Sequence, residues 1–333
     1  MPSLTEPNQV GKREDLAELY AIVDMKATVF LSRVNKSSKP TNSEFDWIVD
    51  SYATPKVSGT IDGTDVADFE NHAADRGRMG NLVQVFRRTS KVSRLAEELS
   101  DVAGVRSEIA LATAKKLVEV KRDNETTLLQ NGVNGQVDDG TKPYLTASLG
   151  KFIDTTGPTV PRSVPSTVRT PTASINTTAT ASLAESDVQT VLKSVFDNTG
   201  MNGDFVLFSG STLRRAFTDF TRTGSSAAGK TRVFNFDGGS KSITQSTTLF
   251  EGDYGVIEIV SSNFIGNDYT TAGNTGKNVG YLVDMNKVHL RSLKRPTVER
   301  FPDLGGGPRI LIEAVNGLQV DNPIGLGAFK PAS

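Results

Sequence analysis

The strongest pattern in this chain is GRMGNLVQVFRRTSKVSRLAEEL (77–99), followed by VRSEIALATAKKLVEVKRDNETTLLQNG (105–132). The first part is basic and has the character of an extended strand. The second part runs for about 26 residues without Pro or Gly, which predicts a helix of about 40 Å at 1.5 Å per residue. Helices in globular proteins average about 11–12 residues. The pattern therefore indicates a strut, which is common in assembly subunits and rare in compact enzymes.

The charge of the chain changes sign just before the basic run. Between Glu44 and Asp75 there are eight acidic residues and one base, Lys56, whereas between Arg76 and Arg94 there are six bases and no acid. One interpretation pairs these charges across a hairpin, with each pair contributing roughly a few tenths of a kcal/mol. The other docks a long hairpin arm on a neighbouring subunit, because an isolated two-stranded hairpin is marginal in water. We favour the second interpretation, and the first stays open.

The predicted helix carries two apolar stripes. Together they cover nearly half of its circumference, which is wider than the ~100° stripe of an ordinary surface helix. We therefore expect the helix to pack on more than one partner, and we expect Gly104 to separate a short turn from it. The stripes are Ile109, Leu117, Val120 and Leu128, and then Leu111, Val118 and Leu129, while Lys115, Lys116, Glu119, Arg122 and Asp123 fill the remainder.

Composition narrows the class of protein. With 333 residues, the chain can form two domains or one elongated domain with excursions. A net charge of −1 argues against a bulk nucleic-acid binder, and the absence of Cys excludes disulfides and thiolate metal sites. No segment approaches the ~20 apolar residues of a membrane span, and the N-terminus has no apolar signal core. We expect a soluble protein of a reducing cytoplasm, with no membrane contact.

The remaining segments predict an α+β protein. Residues 15–34 predict a short helix that becomes extended, and residues 155–182, with four Pro and many Thr and Ser, predict an extended connector. Further expected elements are a strand at 44–55, a helix at 183–200 ended by Gly200, a strand at 204–210, a helix at 211–220 capped by Ser211, a strand within 248–264, and paired long strands at 279–301 and 308–320.

One motif invites a nucleotide site. GSSAAGKT (224–231) matches the P-loop pattern, in which backbone amides cradle phosphates, Lys230 would reach the terminal phosphate and Thr231 would hold magnesium. A P-loop needs a buried strand before it and a helix after it, but here the preceding segment has a helical pattern and the following one a strand pattern. We expect a flexible surface loop, and the P-loop NTPase remains a lower-ranked alternative.

No other constellation supports chemistry. His72 and His289 have no acid or nucleophile placed with them by the sequence, and no metal-ligand spacing is present. GGGPR (305–309) predicts a tight or mobile turn between two strands. The basic stretch 287–300 is compatible with contact to phosphate, but it alternates like a strand and contains Glu299, so we favour a solvated strand face. We expect no catalytic, cofactor-binding or metal-binding residues, no cofactor, and no enzymatic activity.

The order of these elements resembles that of the major capsid proteins of tailed bacteriophages, which have the Hong Kong 97-type fold. The likeness covers most of residues 15–330. GRMGNLVQVFRRTSKVS resembles the returning strand of the extended E-loop, EIALATAKKLVEVKRDNETTLL the spine helix, and DFVLFSGSTLRRAFTDF the strand–helix unit of the axial domain. GYLVDMNKVHLRSL, VERFPD and RILIEAVNGLQVDNPIGLGAF resemble the closing strands.

The resemblance implies a division of the chain into named segments. These are an N-terminal arm (1–52), an E-loop hairpin (53–94), the spine helix with the first part of the peripheral domain (95–154), the Thr/Pro-rich connector (155–182), an α/β axial domain (183–278), the closing strands of the peripheral domain (279–322) and a C-terminal tail (323–333).

The resemblance also implies a function. The chain would self-assemble as hexamers and pentamers into the icosahedral shell around the double-stranded DNA of a tailed bacteriophage, without sequence-specific DNA binding. It would assemble in the host cytoplasm and reside in the virion, with separate scaffolding and portal proteins and possibly decoration proteins. An encapsulin-like compartment is the alternative of the same fold. The predicted intersubunit contacts are Arg76, Arg78, Arg87, Arg88, Lys91 and Arg94.

Overall fold

We describe the fold from a computed structural model, which covers residues 28–66, 68–99, 107–200, 202–220, 222–223, 231–232, 247–266 and 276–331. The described helices are α1 (Val29–Arg33), α2 (Arg94–Glu98), α3 (Glu108–Leu128), α4 (Leu149–Phe152), α5 (Glu185–Thr199) and α6 (Ser211–Asp219). The described strands are β1 (Asn35–Lys36), β2 (Glu44–Val49), β3 (Gly77–Leu82), β4 (Gln84–Lys91), β5 (Ile175–Asn176), β6 (Gly203–Ser209), β7 (Arg222–Thr223), β8 (Thr231–Arg232), β9 (Leu249–Gly252), β10 (Gly255–Ser261), β11 (Gly280–Val283), β12 (Val288–Phe301), β13 (Arg309–Val320) and β14 (Gly327–Phe329).

The chain divides into two compact units. In the described residues, the first unit comprises 87–99, 107–120 and 296–313, and the second comprises the remainder. Within the described strands, one sheet has the order β1-β12-β13-β4 and a second has the order β5-β14-β11-β6-β10-β9. This confirms the expected pairing of the long strands at 279–301 and 308–320, with β11 and a short 3-10 turn preceding β12.

The second sheet and its helices form one of two apolar clusters in the larger unit. β6 and β10 run parallel with Phe205 opposite Ile257. Helix α5 packs there because its apolar residues recur at helical spacing and are buried. It ends at Gly200, whose φ of +67° suits glycine, as the sequence predicted. The buried residues of the cluster include Val188, Val191, Leu192, Val195, Leu207, Leu213 and Phe217.

Helix α3 is shorter than the sequence pattern predicted. It has 21 residues, or about 32 Å at 1.5 Å per residue, against the expected 40 Å. Gly104 lies outside the described residues. The two stripes are confirmed in part, since Val120, Leu128 and Leu129 are fully buried. The remaining stripe residues, nearer the start of the helix, are half-buried: Ile109, Leu111, Leu117 and Val118.

The predicted long hairpin is short. β2 and β3 pair antiparallel over six residues each, with Trp47 opposite Met79, and the alternation of Phe45, Trp47 and Val49 is buried as expected. The described residues of 50–76 contain no strand. Pro, Gly and Asp in this segment disfavour a ladder, and Gly63 has a φ of +81°.

Two smaller expectations were wrong. Ser211 does not cap α6, because the cap position is Gly210 and no side chain caps the helix. A Cβ at Gly210 would collide with the carbonyl of Lys277, so glycine is required there and the helix begins at the next residue. The single strand expected within 248–264 is a hairpin of β9 and β10, turning at Asp253 and Tyr254.

Candidate assembly surfaces

Arg76 and Arg78 pair with carboxylates on the opposite side of the β2–β3 hairpin. The Arg76 Nε lies 3.0 Å from Asp50 Oδ2, and the nearest Arg78 nitrogen lies 2.5 Å from Asp46 Oδ2. These are the cross-hairpin pairs of our first interpretation. Both arginine side chains stay about half exposed or more, at 47% and 60%. Their role in contacts between subunits therefore remains a prediction, in addition to the pairing within the chain.

Asp46 pairs with two arginines at this end of the hairpin, and the sequence analysis did not identify it. Its carboxylate also accepts a hydrogen bond of 2.9 Å from Arg162, and only 12% of its side chain is exposed. The hydrogen bond to Asp46 raises the pKa of the Arg162 guanidinium. The partner is 116 residues away in sequence, so no local pattern could reveal it. Gly80 leaves room for the carboxylate, because a Cβ there would collide with Asp46 Oδ1.

The other four basic residues lie in the smaller unit. Arg87 pairs with Glu313 at 2.6 Å, and Arg88 lies 4.0 Å from Glu119. Lys91 is exposed at the end of β4 and lines an open groove with Ser93, Leu99 and Ala112 among others. No carboxylate of the described residues forms an ion pair with Lys91.

Arg94 tethers the start of α2 to the glycine turn between β12 and β13. Its guanidinium lies 2.7 Å from Asp303 Oδ2, while Asp303 Oδ1 accepts the backbone N–H groups of Gly305 and Gly307. The hydrogen bond from Arg94 and the Gly307 N–H hold the pKa of the Asp303 carboxyl below its usual range. Gly307 has a φ of +101°, and a Cβ there would collide with the Val92 carbonyl. The expected GGGPR turn is thus confirmed.

Among the described residues, segment 50–76 carries several large apolar side chains that are exposed. Five of them are at least 70% exposed. Lys56 contacts Glu70, and Asp50 pairs with Arg76, but four other carboxylates form no ion pair with a described residue. The exposed apolar residues are Tyr52, Val57, Ile61, Val66 and Phe69, and the unpaired acids are Asp62, Asp65, Asp68 and Asp75. Sequence reasoning found the acids but missed the apolar side chains among them.

The structure gives little support for chemistry at the P-loop match or at His289. Residues 224–230 of the P-loop match lie outside the described residues, and the preceding segment forms α6, as its pattern predicted. His289 Nε2, on β12, lies 3.0 Å from Oδ2 of Asp321, the residue that follows β13, and the sequence did not predict this pair. Among the described residues, no group of three or more potential ligands could hold a metal ion. None of the described helices is long and apolar enough to span a membrane.

Solved capsid structures share this fold at low sequence identity. The cyanophage A-1(L) capsid matches with a TM-score of 0.64 at 13% identity, covering 98% of this chain and 99% of that chain. The capsid of the native GTA particle matches with a TM-score of 0.61 at 13% identity, covering 97% and 95%. The mature capsid of bacteriophage PhiM1 matches with a TM-score of 0.58 at 11% identity, covering 99% and 95%. These likenesses support the expected Hong Kong 97-type fold.

The sequence itself matches one family. No curated protein matches it. The family model of the SU10 major capsid protein, however, matches residues 4–333. The chain therefore belongs to the SU10 major capsid protein family and is a structural subunit of a tailed-phage shell, not an enzyme.

Proposed function

We propose that this subunit assembles as hexamers and pentamers into a closed icosahedral shell around double-stranded DNA, and that segment 50–76 contacts a second copy of the chain. The observation that carries the proposal is the exposure of Tyr52, Val57 and Phe69 on a segment rich in carboxylates that form no ion pair with a described residue. Burial of apolar surface contributes about 25 cal/mol per Å². A neighbouring subunit with an apolar and basic surface would therefore stabilise this segment.

Basic residues that remain exposed could supply the complementary charge. Arg87, Arg94 and Lys91 are exposed even though the first two pair within the chain. Each such contact contributes modestly, because surface ion pairs typically contribute about 0–1 kcal/mol. A closed shell repeats the contact many times, and multivalency converts weak single contacts into a stable assembly.

The division of the chain into named segments is also a proposal. We propose that residues 1–52 are the N-terminal arm, 53–94 the E-loop, 95–154 the spine helix and first part of the peripheral domain, and 155–182 the connector. Residues 183–278 would form the axial domain, 279–322 the closing strands and 323–333 the tail. The long helix α3, the α5–α6 sheet unit and the long strands β12 and β13 support this division.

The contents and partners of the shell are part of the proposal. A net charge of −1 suits a container that does not bind DNA tightly, since strong binding depends on neutralising many phosphates with Lys and Arg. We propose separate scaffolding and portal proteins, with decoration proteins as an optional addition, and assembly in the host cytoplasm. The P-loop NTPase alternative has no support from a family of capsid proteins.

Negative-stain microscopy of the purified chain tests assembly. We expect closed shells of uniform size, whereas a monodisperse monomer under all conditions would contradict the proposal. The contents of shells from infected or expressing cells test the role of DNA. Nuclease-protected double-stranded DNA in shells that carry a portal supports the phage function. A protein cargo without a portal would support the encapsulin-like alternative.

A charge swap tests the predicted contact of Arg87. Arg87→Glu would lose its pair with Glu313 as well as any contact with a neighbour, so the single variant alone is ambiguous. The double variant Arg87→Glu with Glu313→Arg restores a pair within the chain while reversing both charges. We expect helicity to be retained and assembly to stay impaired in the double variant. Normal shells from it would limit Arg87 to its partner within the chain.

A further inference from the structure

Helix α3 carries a fully buried carboxylate, that of Glu125. Its Oε1 accepts the backbone N–H of Phe30 at 2.8 Å, and its Oε2 accepts the backbone N–H of Leu31 at 2.8 Å. Both donors belong to the first turn of α1, so one side chain satisfies two N–H groups that have no partner within that helix. The bonds link residues 95 and 94 positions apart in sequence. Glu125 therefore fastens α1 to the second half of α3.

An apolar contact holds α1 at the same place. Phe30 is fully buried, and its ring meets that of Phe208 edge-on with centroids 5.3 Å apart. Thr28 is the first described residue, so α1 is where the described fold begins. If α1 leaves α3, Phe30 and Glu125 both become exposed to water.

Burial makes the contact between Glu125 and α1 depend on whether the Glu125 carboxyl is protonated. Desolvation raises the pKa of Glu125 from its ordinary 4.5 to about 6, against the opposing effect of the N–H groups of Leu31, Phe30 and Val29. A carboxylate without a compensating cation is costly to bury, so the docked state of α1 favours the neutral acid.

The nearby charged groups are engaged elsewhere. On α1, Arg33 pairs with Glu258 of β10 at 2.6 Å. On α3, Arg122 lies over the Phe264 ring with its central carbon 5.6 Å from the centroid. Lys121 is exposed to solvent and Asp123 is half-buried. The causes that act on the pKa of Glu125 are burial and the three backbone N–H groups.

We propose that Glu125 is a pH-linked latch that holds α1 against α3 more tightly in acid than at neutral pH. The sign follows from linkage. The pKa is higher when α1 is docked, so the stabilisation is fully present below pH 4.5 and is lost as the pH rises through about 6. As the pH rises, the equilibrium constant for an opening that returns Glu125 to its ordinary pKa increases by about 30-fold at most. An increase of about 15-fold falls between pH 4.5 and 7.5.

Hydrogen exchange of the Phe30 and Leu31 amides tests the latch on the full-length chain, kept in one assembly state throughout. After correction for intrinsic exchange, we expect their protection to fall by about 15-fold from pH 4.5 to 7.5. In Glu125→Gln, which cannot ionise, protection should not depend on pH in this range. Glu258→Gln is the matched control, because it removes the partner of Arg33 on the same helix and should keep the pH dependence.

Three results would overturn the proposal. They are a wild-type protection that does not change with pH, the same change in Glu125→Gln, or loss of the change in Glu258→Gln. If Glu125→Gln does not fold, the titration of the Glu125 carboxyl carbon by NMR decides. A midpoint near 6 supports the latch, and an ordinary midpoint excludes it.

Discussion

Similar apolar side chains are buried on strands β2 and β3 but exposed on the segment that joins the two strands, residues 50–76. On the strands, Phe45, Trp47 and Met79 are buried. On the joining segment, Tyr52 and Phe69 are exposed. Antiparallel backbone pairing holds the two strands together. The ion pair between Asp50 and Arg76 holds the base of the joining segment.

The difference separates apolar residues that are buried within one subunit from apolar residues that remain exposed in the single chain. The strand residues complete a core within the subunit, where the rings of Phe45, Trp47 and Phe152 follow one another at centroid distances of 6.1 and 6.2 Å. The segment residues meet no core among the described residues of the single chain. Folding of one subunit accounts for the first group, whereas a second copy accounts for the second group in the proposed shell.

The largest effect is expected at Trp47. Trp47→Ala should lower the free energy of unfolding by about 3–5 kcal/mol, because it leaves a cavity in a packed core. Urea denaturation of dispersed subunits would measure it. Trp47→Phe is the matched control and should cost less than about 1.5 kcal/mol, since the buried indole N–H has no hydrogen-bond partner among the described residues. Equal losses in both variants would contradict this expectation, because they would show that a smaller aromatic ring does not fill the site.

A smaller effect on folding, but a clear one on assembly, is expected at the segment. The double variant Tyr52→Ser with Phe69→Ser should change the free energy of unfolding by no more than about 0.5 kcal/mol, because both side chains are exposed. The yield of closed shells in sedimentation should fall. Ile48→Ser is the control, since Ile48 is 70% exposed but lies on β2. Unchanged shell yield in the double variant would remove the proposed contact.

The smallest effect is expected at Lys56 and Glu70. Their side chains are 72% and 64% exposed, and exposed ion pairs typically contribute about 0–1 kcal/mol. Lys56→Ala should therefore leave the urea midpoint of the dispersed subunit almost unchanged, and 1 M salt should have the same small effect on both proteins. A loss above about 1 kcal/mol would mean that the segment is already ordered before assembly, and would weaken its contrast with β2 and β3.

Patterns local in sequence predicted much of the fold. The alternation of Phe45, Trp47 and Val49 predicted a half-buried strand, and Gly200 predicted the end of α5, because strand and helix periods and a left-handed cap are properties of neighbouring residues. The hairpin of β9 and β10 was missed even though its turn, between Gly252 and Gly255, contains two Gly and one Asp, which is a local turn signal. Ser211 was misplaced by one residue, since the close approach at Gly210 involves the distant Lys277 carbonyl.

The sequence predicted the contacts and exposure of surface residues less completely than it predicted the helices and strands. The six basic residues were read from charge alone, and the structure adds partners for five of them, among them Asp46 and Glu313. Which carboxylate meets which arginine depends on strand register and on contacts between distant residues. The exposure of Tyr52 and Phe69 also could not be read from the sequence, because an aromatic residue in a polar segment is equally compatible with burial.

The sequence by itself determined the α+β class, the long helix, the paired closing strands and the resemblance to tailed-phage capsid proteins, since periodicity, charge sign and element order are carried by the chain directly. Only the tertiary structure decided that Glu125 is buried against the start of α1, that Asp46 joins two arginines, and that segment 50–76 presents its apolar side chains to solvent. Burial and pairing are properties of residues that the fold brings together, and in these cases the partners lie up to 116 positions apart.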